Sequence, residues 1–264
     1  MDITNTPNPI LDVDCLNVSR GKYLILRDIS FKLLPKTNMA IVGPNGAGKT
    51  TLVQAILNLI PHMSGRVQIL GCPNTKMGKL GYLLGYIAQN FIFHRSFPLS
   101  VSELVGLGWV ESTNIYENSN SLYKLWQIGQ EKSAAINQAL KRTNAYHLRN
   151  QAIGTLSCGQ LKRVLLAYCL VIPRKLLILD EAFTGLDIQG SAQFYILLNQ
   201  LKQEEGWTIL QISHDIDMVN RHCDRVICLN QTIICTGVPE VAFSADNMMA
   251  TYGTGFSCSQ HQFS

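Results

Sequence analysis

Apolar and polar residues alternate in Leu11-Asp12-Val13-Asp14-Cys15-Leu16 and again in Ile29-Ser30-Phe31-Lys32-Leu33. A period of two turns one face to a core and the other to water, so both stretches are predicted antiparallel strands. Met39-Ala40-Ile41-Val42, Leu176-Leu177-Ile178-Leu179 and Thr208-Ile209-Leu210-Gln211-Ile212 are short and nearly all apolar. That is the signature of strands covered on both faces of a parallel sheet. Helical spacing is found over 51–59, where Pro61 stops it, and over 101–107, 132–143 and 189–204. Strand-like runs vanish between about 91 and 165, and the Asn- and Ser-rich stretch 111–121 reads as an exposed loop. The layout predicts an α/β fold. A parallel-sheet core is joined by an antiparallel β subdomain, and a helical subdomain at about 91–165 is inserted in its middle. Residues 1–10 read as a disordered leader, 11–253 as a single domain and 254–264 as a C-terminal tail.

Composition narrows the classes. With 264 residues the chain can close one substantial core. A net charge of +4 is too mild to argue for nucleic acid as a partner. The longest apolar run, 164–172 between Arg163 and Pro173, is too short to span a bilayer and reads as a buried helix. The N-terminal residues have no basic or apolar secretory pattern. Any membrane role must therefore come through a partner. Eight cysteines are scattered without a Cys-x-x-Cys pair. Most lie in apolar surroundings such as Val226-Ile227-Cys228-Leu229, where a free thiol behaves as a small hydrophobe. That usage suits a reducing cytoplasm. Cys258 and His261 offer only two ligands on a frayed tail, a poor metal site.

The chemistry begins at Gly43-Pro44-Asn45-Gly46-Ala47-Gly48-Lys49-Thr50, which fits G-x-x-x-x-G-K-[ST] between a buried strand and a helix. Glycines let the backbone curl so that its N–H groups face phosphates, and the helix adds its positive N-terminus. Lys49 supplies a point charge, and Thr50 a hydroxyl for Mg²⁺. Gly43, Asn45, Gly46, Gly48, Lys49, Thr50 and Thr51 are therefore the candidate residues around the ATP phosphates. The strand Leu176–Leu179 then presents Asp180 and Glu181 at its carboxyl end, where ligands bind in such sheets. Asp180 is placed to hold Mg²⁺, and Glu181 to polarise an attacking water.

Many nucleotide hydrolases share those two features. Leu156-Ser157-Cys158-Gly159-Gln160 is more discriminating: it resembles the LSGGQ signature of the ABC ATPases and lies upstream of the carboxylate strand, as in that family. Taken alone, the segment also fits a serine-capped helix with no ligand. The resemblance implies that Ser157, Gly159 and Gln160 meet the ATP bound to a second copy of the chain. It also implies three further roles. Gln89 resembles the Q-loop glutamine that senses Mg²⁺ and leads toward the permease contact. His214, after Ile212-Ser213, resembles the switch histidine on the γ-phosphate. Asp187, in Gly185-Leu186-Asp187, resembles the D-loop aspartate. Read singly, these are a loop residue, a capped strand end and a helix N-cap.

The sequence departs from the family pattern at Cys158, which replaces a glycine, and at Ala182, which replaces a proline. Arg20 falls where an adenine-stacking aromatic is usual; a guanidinium plane can stack too, and Tyr23 is the neighbouring alternative. Phe97-Pro98-Leu99-Ser100-Val101-Ser102-Glu103 and Glu181-Ala182-Phe183-Thr184-Gly185-Leu186-Asp187 resemble the ATPases of zinc and manganese importers. The resemblance implies a homodimer sandwiching two MgATP beneath an integral membrane permease, at the cytoplasmic face, with a solute-binding protein acting indirectly. Siderophore importers are the near alternative. A soluble ABC ATPase or a weakly hydrolysing nucleotide-binding regulator is the alternative of another class.

Overall fold

The computed structural model describes residues 7–89, 91, 94, 97–110, 122–186 and 188–253, the side chains of 122–128 and 188 excepted. The start of the leader, the loop 111–121, Asp187, and the tail 254–264 with Cys258 and His261 lie outside the described residues. In chain order the strands and helices begin with β1 (Leu11–Arg20), β2 (Tyr23–Leu33), β3 (Asn38–Val42), α1 (Lys49–Ile56), β4 (Ser64–Ile69), β5 (Cys72–Pro73) and β6 (Leu84–Ile87). They continue with α2 (Val101–Gly106), α3 (Leu122–Arg142), α4 (Cys158–Leu170), β7 (Leu176–Asp180), α5 (Ile188–Glu205) and β8 (Thr208–Ile212). The last are α6 (Ile216–His222), β9 (Arg225–Asn230), β10 (Thr232–Gly237), α7 (Pro239–Ala242) and α8 (Ala245–Tyr252). They fall into two units, one within Met1–Leu80 and Gly206–Ser264, the other within Gly81–Glu205.

The first unit holds two sheets. One is antiparallel in the order β2-β1-β4-β5. Its register sets Leu11 between Leu33 and Ile69, and Val13 between Phe31 and Val67, so the alternating apolar residues form one buried face. In the other sheet β3 lies between β8 and β9, parallel to both, with β10 antiparallel at the edge. Every residue of β3 and β8 is buried. Three polar side chains lie among them: Gln211 Nε2 donates to Asn38 Oδ1 at 2.9 Å, Asn38 Nδ2 to the His222 carbonyl at 3.0 Å, and Thr208 Oγ1 accepts from Lys36 N–H at 3.0 Å. Helix α1 turns Leu52, Val53, Ala55 and Ile56 inward, each large aliphatic burial contributing about 1.5–3 kcal/mol.

The structure overturns one cysteine expectation. Cys228 and Cys235 sit opposite each other on β9 and β10 and form a disulfide, with Cα atoms 5.0 Å apart. The reading of Cys228 as a free apolar thiol missed this because only the hairpin register brings the two together.

In the second unit β6 and β7 pair in parallel, Ile87 opposite Leu179. Buried Arg174 donates to the carbonyls of Cys169, Tyr82 and Leu84, tying the end of α4 to β6. Helix α2 starts with a reciprocal cap between Ser100 and Glu103. The helix read over 132–143 begins earlier, at Leu122, and the one read over 51–59 runs from Lys49 to Ile56. The described residues of the segment 91–165 lie in this unit. Among the described residues no helix is long and apolar enough to cross a membrane.

Candidate functional site

In the first unit, β3 delivers the chain into the loop 43–48 and α1 receives it at Lys49. The loop is built of backbone, and its glycines are forced. A Cβ on Gly43 would stand 2.0 Å from the Leu229 carbonyl oxygen, inside any allowed contact. Gly46 and Gly48 have φ of 82° and 95°, the left-handed region that glycine enters at least cost. Lys49 is buried, and its ammonium donates to the carbonyls of Gly43 at 2.8 Å and Pro44 at 2.9 Å. The cation is thus held at the mouth of the loop. Asn45 is exposed beside it, Thr50 is half-buried in the first helical turn, and Thr51 is buried.

Two supports of this loop were not read from the sequence. Gln231 N–H, in the β9–β10 turn, donates to the Ala47 carbonyl at 3.0 Å. Tyr252 of α8 bonds to the backbone of Gly43; burial raises its phenol pKa and that bond pulls it back. Both come from the last quarter of the chain, where no motif marks them. His214 leaves the neighbouring strand at the same level as the loop. Ile41 pairs with Ile212, so Gly43 and His214 each lie two residues beyond the pair. His214 is exposed there, while Asp215 caps α6 through Met218 N–H at 3.0 Å.

The second unit repeats that arrangement with side chains. Two residues beyond the Ile87–Leu179 pair stand Gln89 and Glu181, and Gln89 Nε2 donates to Glu181 Oε2 at 2.6 Å. Asp180, at the end of β7, is 1% exposed. Its charge is felt by Tyr86, whose phenol is pushed up to about 12, first by burial and then by Asp180. A buried carboxylate of this kind is a hard oxygen donor suited to Mg²⁺, and the Thr50 hydroxyl is another. Glu181 is half-buried with φ of 51°, an uncommon left-handed conformation for a residue with a Cβ.

The signature-like segment opens α4. Ser157 accepts from Gln160 N–H at 3.3 Å, and Gln160 Oε1 accepts from Ser157 N–H at 2.9 Å, a reciprocal cap. The capped-helix reading is therefore realised. The same helix start also borders a recess of about 410 Å³ lined by Ser157, Cys158, Gly159, Gln160, His147 and Arg163. A Cβ on Gly159 would meet Leu186 at 3.2 Å. Cys158 is exposed and packs toward Gly185. Arg20, at the end of β1, is exposed and donates to Gln54 Oε1 of α1 at 2.6 Å, whereas Tyr23 is 78% exposed. Asp187 falls outside the described residues.

Over most of its length the chain is similar to known proteins. Residues 26–184 match the ABC transporter family. The zinc import ATP-binding protein ZnuC of Roseobacter denitrificans is 35% identical over 246 residues, covering 93% of this chain and 85% of that protein. ZnuC of Histophilus somni is 32% identical over 257 residues, covering 97% and 86%. Among solved structures, cbiO1 from Clostridium perfringens, part of the ABC transporter complex cbiONQ, superposes with a TM-score of 0.73 at 31% identity, covering 92% of this chain and 94% of that one. The dimeric cassette MJ0796 bound to ADP and Pi, 22% identical with a TM-score of 0.72, shares the fold. With a phosphate loop, a carboxylate strand and a signature-like helix start in the family's order, this chain belongs to the ABC transporter family as an ATP-binding, ATP-hydrolysing cassette.

Proposed function

We propose that the chain, with 11–253 acting as one cassette, is the motor subunit of an importer for a divalent metal ion, zinc foremost. Two copies pair head to tail around two MgATP and drive a separate permease from the cytoplasmic face of the membrane. A solute-binding protein acts on it only through that permease. The observation that carries the nucleotide half of this reading is the loop 43–48, with Lys49 Nζ gathered onto the Gly43 and Pro44 carbonyls. A triphosphate is the ligand that such a curled, cationic backbone cradle suits. The zinc half is supported by likeness to zinc import ATPases over nearly the whole chain.

The chemistry follows from the residues. Lys49 and the N–H groups of Gly46 and Gly48 bind the β- and γ-phosphates, and His214 hydrogen-bonds the γ-phosphate. Thr50 and Asp180 would hold Mg²⁺, with Gln89 near, and the bound ion would supply neutralising charge to the phosphate oxygens. Glu181 accepts the proton of the attacking water as its oxygen bonds to the γ-phosphorus and ADP leaves. Gln89, on the chain that leads to the permease, bonds directly to Glu181 Oε2. That bond gives the permease a route to the base. Ser157, Gly159 and Gln160 meet the triphosphate of the partner copy, Asp187 reports between copies, and Arg20 lies against the adenine.

The test is Mg²⁺-dependent ATP hydrolysis by the purified chain with Lys49→Ala as blank, followed by reconstitution with its permease in proteoliposomes. Stimulation by a zinc-loaded binding protein is expected. Stimulation by a ferric-chelate-loaded one instead overturns the cargo and keeps the motor. Hydrolysis equal to the Lys49→Ala blank overturns the motor.

A further inference from the structure

Lys162 lies one turn into α4, and its side chain runs inward: the residue is only 7% exposed. An ammonium does not sit in such a place without acceptors. Its Nζ donates to the main-chain carbonyl of Glu181 at 3.2 Å and to that of Thr184. Those carbonyls are the two ends of one turn, which Thr184 N–H closes onto the Glu181 carbonyl at 3.2 Å. Burial lowers the Lys162 pKa, while charge on Cys158 and Glu181 opposes that shift. The turn is fastened from its other side by Phe183, whose ring stacks on Tyr195 of α5 with centroids 4.2 Å apart.

Glu181 needs this fastening. At φ of 51° its backbone occupies the left-handed region, which is unfavourable for a residue that bears a side chain. Neither Ala182 nor Phe183 is a glycine that would relieve the turn. A charge-assisted hydrogen bond to the carbonyl of the strained residue itself is a direct way to hold it.

We propose that Lys162 is a positioning residue for hydrolysis, clamping the turn 181–184 so that the Glu181 carboxylate is aimed at the attacking water. This rests on Glu181 being the base. Since Lys162 and Ser157–Gln160 share one rigid helix, the clamp also joins the edge that meets the partner's triphosphate to the catalytic turn of the same protomer. No contact of Lys162 with nucleotide is involved.

The experiment uses the full chain with Lys162→Met and, in parallel, Lys162→Gln, whose amide keeps donors at shorter reach. Steady-state hydrolysis gives kcat and KM, and thermal unfolding reports whether each variant is folded. Lys162→Met is expected to lose about 10- to 100-fold in kcat, the usual consequence of a misaimed group, with KM for ATP within about twofold. Lys162→Gln is expected to fall between it and the parent, and it carries the test if Lys162→Met does not fold. The distinguishing readout is the ATP-trapped dimer of Glu181→Gln, followed by light scattering. If Lys162 acts through Glu181, adding Lys162→Met leaves that dimer intact. Unchanged kcat in a folded variant, or loss of the trapped dimer, overturns the clamp. If Glu181→Gln itself hydrolyses at the parent rate, the assignment of the base has failed instead, which is a separate outcome.

Discussion

The loop 43–48 and the turn 181–184 do related work by opposite means. Each follows a buried parallel strand, and each carries its chemistry two or more residues beyond a paired position, with His214 beside the first and Gln89 beside the second. The phosphate loop is made of glycine: Gly46 and Gly48 supply positive φ without strain, and Gly43 supplies room beside the Leu229 carbonyl. The carboxylate turn has positive φ at Glu181 itself and is held by other side chains, Lys162 from α4 and Phe183 on Tyr195. A backbone cradle for a polyanion needs closely spaced N–H groups, so side chains are absent at the positions where the loop turns, Gly43, Gly46 and Gly48. A general base must project a carboxylate, so its strain is carried by what surrounds it.

The sharpest way to break the comparison is to remove chemistry without removing shape. Glu181→Gln should bind ATP as the parent does and accumulate as a closed dimer. Its turnover should fall by ~100-fold or more, within the range that a lost general base removes. Lys49→Ala should instead lose nucleotide binding itself. Equilibrium binding of a fluorescent ATP analogue, measured beside phosphate release, separates the two. A Glu181→Gln enzyme that cannot bind would erase the distinction between a binding half and a turnover half.

Next comes the glycine side. Gly43→Ala places a methyl 2.0 Å from a backbone oxygen that cannot swing away, so a loss of ~2 kcal/mol or more in denaturant unfolding is expected. Gly46→Ala meets nothing within 4 Å and suffers only from its φ of 82°, for a loss of about 1 kcal/mol. Equal losses in the two would mean that the loop is limited by conformation alone and that the Leu229 contact is immaterial.

This contrast also explains what the amino-acid order disclosed. The phosphate loop was legible because its requirements are local: glycine spacing, an apolar strand before and a helix after. The strands β3, β7 and β8 and the antiparallel pair β1–β2 were legible for the same reason, through period and burial. The supports were not. Gln231, Tyr252, Lys162 and the Cys228–Cys235 pair act across folds of the chain, and nothing near them in sequence marks their partners. Ser157 was legible as a helix cap because a cap is a local device. Strand β6 was overlooked because Leu84-Gly85-Tyr86-Ile87 is neither alternating nor continuously apolar. Gly85 is there because Arg174 and Leu177 approach within 3.1 Å of where its Cβ would stand.

A smaller effect is expected at Gln89. Its amide is bonded to the Glu181 carboxylate at 2.6 Å, so Gln89→Ala removes an orienting contact and leaves the base in place. A loss of about tenfold in kcat is expected, with stimulation by the reconstituted permease weakened as well. If Gln89→Ala hydrolyses as the parent does, yet no longer responds to the permease, the bond serves coupling and not aim. Either result tells whether the carboxylate turn depends on its neighbouring strand in the way that the phosphate loop depends on Gln231.

The smallest effect concerns the base of the nucleotide, where Arg20 and Tyr23 compete. Arg20 is engaged with Gln54 on α1 at 2.6 Å, which holds its guanidinium over the helix that begins with Lys49. Tyr23 is 78% exposed, an aromatic face with little of its area covered. Stacking of a nucleobase on an aromatic ring is worth ~1–3 kcal/mol, and a guanidinium at an exposed site gives ~0.5–1 kcal/mol in comparable contacts. If Arg20 carries the adenine, as its place in the chain suggests, Arg20→Ala should raise KM for ATP about two- to fivefold and leave kcat unchanged. Tyr23→Ala should then do nearly nothing. The reverse order, with Tyr23→Ala raising KM by roughly fivefold or more, would show that exposure outweighs position. In either case GTP offered in place of ATP should respond to the same substitution, because stacking on a ring or guanidinium plane is tolerant of base identity.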